Sequence, residues 1–126
     1  MPIIRVSGIP DRTNPVILVG LMAMIQLAVA NVEPLDIPVT DVSVFFPKDQ
    51  LKAGLGEELI AQIEGLYKKP ERTPEVLKQL QVAVYECLVA FALTQVQECT
   101  YVEAMIMPMI EPADCTCHVL GKRSSP

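Results

Sequence analysis

Apolar and polar positions change period several times along the chain, and each change marks an element. Ile3 to Ser7 ("IIRVS") is a β-type run and reads as a strand. Asn14 followed by Pro15 is a helix start, because asparagine can cap and proline is tolerated at the first helical position. The helix this predicts runs from about Pro15 to Asn31 and is apolar nearly all round. Both of its faces should be covered, which one chain this short can hardly do, so an oligomer is expected. After the turn-rich "EPLDIP", Thr40 to Phe46 predicts a second strand, with Val42, Val44 and Phe46 on one face and Asp41, Ser43 and Phe45 on the other. Pro47 to Gly56 reads as a loop. Leu59 to Glu64 is a third strand; a short helix fits its composition too, but Gly56 and Gly65 punctuate it closely. Thr73 and Pro74 repeat the cap-plus-proline signal and open a helix to about Leu93. Its stripe of Leu77, Leu80, Val84, Cys87, Leu88 and Phe91 is core. Tyr101 to Met107 is a fourth strand, and the tail from Met109 is rich in turn formers.

The order is β-α-β twice. "PDRTNP" and "PERTPE" are the clearest internal echo, each carrying an arginine just before a capped helix. The chain is expected to be one α+β domain over residues 1–126. Repeat one covers about 2–47, repeat two about 57–108, and an irregular tail 109–126. Two such units can form a four-stranded sheet with both helices on one face, a ferredoxin-like topology.

Composition narrows the function. A chain that is 51% hydrophobic is globular rather than disordered, and a formal charge of -5 disfavours nucleic acid. Met1 leads into a strand without a basic n-region, so a cytoplasmic protein is expected. The apolar run from Val16 to Ala30 falls short of the roughly 20 residues that span a bilayer, so a buried helix is expected and no membrane partner. Cys87 falls on the core stripe, and the four cysteines read as reduced thiols. Cys99 and the "CTCH" of Cys115, Cys117 and His118 match no zinc spacing, so no metal is expected. The sole histidine lies in the tail, against a Ser-His or Cys-His device, and no glycine-rich phosphate loop is present.

Pro2 is the residue with unusual chemistry available to it. Removal of Met1 would turn its nitrogen into a secondary amine, and an α-amino group titrates near 8. Desolvation and neighbouring cations lower an amine further, and Arg12, Arg72 and Lys69 are cations that can supply that field. A base poised near neutral pH moves protons between carbon and oxygen of an enol. The blander reading makes Arg12 and Arg72 surface charges at helix entrances, where the helix dipole slightly disfavours a cation. Arg5 is expected to be solvated.

Taken together these residues resemble the tautomerase superfamily, in its fused two-β-α-β form with the tautomerase/MIF-like fold. Proline directly after the initiator methionine, a short strand, then Arg12 and Thr13 at a helix start resemble the 4-oxalocrotonate tautomerase branch, as does "DIPVTDVSVFF". "LIAQIEGLY" leading into "KKPERTPE" is similar to malonate semialdehyde decarboxylases. The resemblance covers roughly residues 2–107. It implies an isomerase-like enzyme without a cofactor and, most simply, a homotrimer. Pro2 would be the general acid/base on a small 2-oxo acid or its enol, by tautomerisation or a related decarboxylation or hydration. Arg12, Arg72 and Lys69 would bind the substrate carboxylate. Some members add a carboxylate that activates water, for which Glu103, Asp36 or Asp41 are the candidates. Ser43 stands where the family's second strand carries a further arginine, so a second reading is a non-catalytic oligomer that binds a small ligand or serves as structure.

Overall fold

The computed structural model describes residues 2–48, 53, 57–117 and 120. In chain order these form β1 (Ile3–Ser7), α1 (Pro15–Ala30), β2 (Ser43–Phe45), β3 (Glu57–Glu64), α2 (Pro74–Gln95) and β4 (Cys99–Ile106). Short 3-10 turns lie at Glu33–Leu35, Val39–Asp41 and Pro112–Asp114.

Both helix starts follow from local chemistry. The Asn14 side chain accepts from the Val16 backbone N–H at 2.9 Å, and the Thr73 hydroxyl accepts from the Val76 N–H at 3.3 Å. Each satisfies an N–H that the helix itself leaves without a partner, and the proline after each has no N–H to satisfy.

The four strands make one sheet in the order β2-β1-β3-β4. β1 pairs parallel with β2, β3 parallel with β4, and β1 antiparallel with β3. Each β-α-β unit therefore supplies a parallel pair, and the two pairs join head to tail through the central strands. Alternation along the strands puts Ile4, Val6, Leu59, Ala61 and Ile63 on the helix side, all almost fully buried. They form one core with Leu21, Ile25 and Val29 of α1 and with Leu80, Val84, Cys87, Leu88 and Phe91 of α2. Burying one such aliphatic side chain is worth about 1.5–3 kcal/mol. α2 is long and apolar enough to cross a bilayer, but this stripe packs on the sheet.

The second strand is shorter than its sequence suggests. Residues before Ser43 turn instead, with the Asp41 N–H donating to Pro38 O and the Val42 N–H to Val39 O. The register pairs Ser43 with Ile3, the first residue of β1, so an earlier start would have no strand to pair with. The same logic starts β3 at Glu57 and β4 at Cys99, earlier than their apolar patterns suggest, because these two residues are register partners. Most of the Pro47–Gly56 loop lies outside the described residues.

The chain covers only one stripe of α1. Val16, Val19, Met24 and Leu27 remain exposed, Val16 at 74%. Arg5 is more than a solvated charge: it is ion-paired with Glu64 and lies over the Phe45 ring at 5.3 Å.

Candidate active site

Pro2 is buried at the start of β1, and its carbonyl accepts the Ser43 N–H at 3.1 Å. Since β1 and β3 run antiparallel, with Ile3 opposite Glu64, the chain leaving β3 emerges at Pro2's end of the sheet. Gly65 turns it with φ at +79°, and buried Leu66 anchors it. Lys69 to Arg72 then form a turn closed by the Arg72 N–H on Lys69 O at 3.0 Å, with Pro70 at the position that favours it. Lys69 and Arg72 are thereby carried to the end of the sheet where Pro2 lies.

Arg72 is the unusual residue of this end. It is only 8% exposed, and it is the buried charged residue of the described chain. Its Nη1 donates to the Tyr67 carbonyl at 2.6 Å, while its Nε is buried with no hydrogen-bond partner. Among the described residues no carboxylate is ion-paired with it. Burial lowers its pKa, with the nearby Glu71 charge opposing. Leaving a buried donor unsatisfied costs about 1–3 kcal/mol, so a guanidinium in this state favours an anionic acceptor.

Arg12 occupies the matching position of the first repeat and meets the other end of the sheet. It is 60% exposed and ion-paired with Glu98, just before β4. The head-to-tail join explains the contrast. Each repeat's arginine follows its own first strand and so lies at the start of the other repeat's first strand. For Arg72 that start carries Pro2; for Arg12 it carries Glu57. Within one chain, then, Lys69 and Arg72 share an end with Pro2 and Arg12 does not.

Glu103 is also remote from Pro2. It sits opposite Ile60, which is opposite Ser7 at the far end of β1. Its Oε2 accepts the Tyr101 hydroxyl at 2.9 Å, a bond that raises the Tyr101 pKa. Asp36 is exposed and takes the left-handed conformation, φ 51°, that ends the Glu33–Leu35 turn, and Asp41 closes the turn before β2. Ser43 lies beside Ile3 and is tied to Pro2 through its backbone.

Sequence patterns miss Tyr67, whose carbonyl holds Arg72, because a backbone acceptor leaves no signature in residue type. A groove of about 660 Å³ along α2, lined by Pro74, Lys78, Val82 and Glu86 among others, lies on the helix layer rather than at Pro2.

No family model and no curated protein matches the chain. Solved structures do. The symmetric trimer of a wild-type fused 4-OT superposes with a TM-score of 0.66 at 15% identity, covering 91% of this chain and 90% of that one. Macrophage migration inhibitory factor from Toxoplasma gondii superposes with a TM-score of 0.62 at 15% identity, covering 91% and 95%. The fold is that of the tautomerase superfamily. A malonate semialdehyde decarboxylase inhibited by 3-bromopropiolate shares it, with a TM-score of 0.58 at 20% identity over 94% of this chain and 91% of that one. The tautomerase fold accounts for the duplicated β-α-β order and the four-stranded mixed sheet.

Proposed function

We propose that the chain is a tautomerase-fold enzyme that moves a proton on a small 2-oxo acid or its enol, with Pro2 as the general acid/base. The observation that carries this is Arg72, a buried guanidinium with an unpartnered Nε and no ion-paired carboxylate among the described residues, at the end of the sheet where β1 begins. A carboxylate-bearing substrate would supply the missing acceptor through the planar fork of the guanidinium.

In this reading Met1 is removed and the Pro2 nitrogen becomes a secondary amine. The free base takes a proton from an enol oxygen or a carbon next to the carbonyl. The resulting ammonium returns it at the other atom, and the amine is regenerated without a cofactor. Burial of Pro2 and the Arg72 charge both favour the neutral amine. Lys69, exposed on the same turn, adds positive potential that attracts an anion. Arg12 and Glu103 would reach such a site only from another copy of the chain. The fused 4-OT above is a trimer, and a homotrimer is proposed here too. It would also cover apolar surface that one chain leaves open.

The test is ketonisation of phenylenolpyruvate by protein whose intact mass shows Met1 gone. Pro2→Ala is expected to lower kcat/KM by about a hundredfold or more. Arg72→Ala is expected to cost about a hundredfold and Arg72→Lys less, since lysine keeps the charge but not the fork. Thermal melts check that each variant folds. Equal rates in the parent and Pro2→Ala would remove the proline from the chemistry. They would favour the second reading, a non-catalytic ligand-binding oligomer, which the hydroxyl of Ser43 in place of a further guanidinium supports.

A further inference from the structure

The tail brings two thiols against one phenol. Tyr67 follows β3 and pairs with Ile110 in an isolated parallel bridge. The Lys68 N–H donates to Ile110 O at 2.9 Å, the Ile110 N–H to Leu66 O at 2.7 Å, and Lys68 is ion-paired with Glu111 at 3.0 Å. The Pro112–Asp114 turn redirects the chain, and Cys115 leaves it extended, at φ −125° and ψ 130°. The Tyr67 hydroxyl donates to Cys115 Sγ at 3.2 Å. Its pKa is pushed up to about 12, first by the hydrogen bond to and charge of Cys115 and then by the charge of Cys117, two residues on. Both cysteines are free and exposed.

We propose that Cys115 and Cys117 are a redox-active dithiol that low-molecular-weight disulfides convert to an intrachain disulfide. One thiolate attacks a sulfur of the external disulfide, forming a mixed disulfide as that S–S bond breaks and the first thiolate leaves. The second cysteine attacks the protein sulfur of the mixed disulfide, forming the Cys115–Cys117 bond and expelling the second thiolate. Two protein thiols are oxidised, one external disulfide is reduced to two thiols, and the two S–H protons pass to the departing thiolates.

The other cysteines are poor competitors. Cys87 is buried in the core, and Cys99 is half-buried with its thiol donating to Tyr101 O at 3.4 Å. Two residues of chain hold their Cα atoms no more than about 7 Å apart, so the separations a disulfide spans are within reach. Tyr67 also holds Arg72 through its carbonyl, so the dithiol and the buried cation touch the same residue. The proposal stands whether or not Arg72 binds a substrate.

The test treats the full chain with oxidised glutathione in mildly alkaline buffer, followed by intact mass, peptide mapping and phenolate absorbance. The expected product has lost two hydrogens, carries no glutathione, maps to Cys115–Cys117 and is reversed by dithiothreitol. Cys115→Ser and Cys117→Ser should each retain glutathione on the remaining thiol. In the oxidised chain no thiolate opposes ionisation of Tyr67, so one tyrosine should move from about 12 toward the ordinary value near 10. Tyr67→Phe should abolish that movement and leave the disulfide. A stable glutathione adduct on the unmutated chain, a disulfide involving Cys87 or Cys99, or no reaction would each overturn the proposal.

Discussion

Gly8 ends β1 with φ at +92°, and a Cβ there would lie 1.7 Å from the Glu58 carbonyl oxygen. Neither the backbone angle nor the space tolerates a side chain. Gly8→Ala is expected to cost about 3 kcal/mol in denaturant unfolding. Gly20, in α1, provides the contrast: a Cβ there would point into open space, with nothing within 4 Å. Gly20→Ala should be neutral or stabilise by up to about 1 kcal/mol. Cys87 makes a pH prediction. Burial pushes its thiol pKa up, the Glu86 charge adds to this, and a backbone hydrogen bond opposes it. A group whose folded pKa is raised contributes stability below its unfolded value, near 8.5 for a thiol, and loses it as pH rises through the folded value. The urea midpoint should therefore fall as the pH rises past the unfolded thiol value of about 8.5, and fall less in Cys87→Ala. An equal fall in both would remove Cys87 as the cause.

Each helix is tied to the strand that closes its own repeat by a glutamine. Gln26 donates to Val42 O at 3.0 Å, at the approach to β2, and Gln81 donates to Ala104 O at 2.8 Å in β4. β2 and β4 are the edges of the sheet, where carbonyls lack a strand partner. Gln81→Ala should cost about 1–2 kcal/mol in guanidinium unfolding, while exposed Gln79→Ala should cost almost nothing. Equal effects would mean that the bond to Ala104 is not what matters. In sequence Gln26 is simply a polar interruption of an apolar run, and Gln81 a residue off the α2 stripe. Their acceptors lie 16 and 23 residues away, beyond any local period. The helices themselves are legible because caps and stripes are local. The length of β2 is not, because it depends on where β1 begins.

At the scale of the molecule, one chain leaves the outer surface of α1 apolar, with Val19 66% and Leu27 53% exposed. Patches of this kind mark association surfaces. Light scattering at micromolar concentration is expected to give about three chain masses, and a monomer would sink the proposed trimer. The elements, their order and the internal echo of "PDRTNP" and "PERTPE" can be read from sequence, because capping, periodicity and turn chemistry act within a few residues. Pro2, Lys69, Arg72 and Arg12 can be singled out by residue type in the same way. Which of them come together is decided by the antiparallel pairing of β1 with β3, a contact between separate repeats. That pairing carries Lys69 and Arg72 to the start of β1 and Arg12 to the start of β3. It also leaves one arginine buried, with no ion-paired carboxylate among the described residues, and its counterpart exposed with Glu98. Burial and partnership are properties of long-range packing, so two similar hexapeptides acquire different chemistry only once the sheet is assembled.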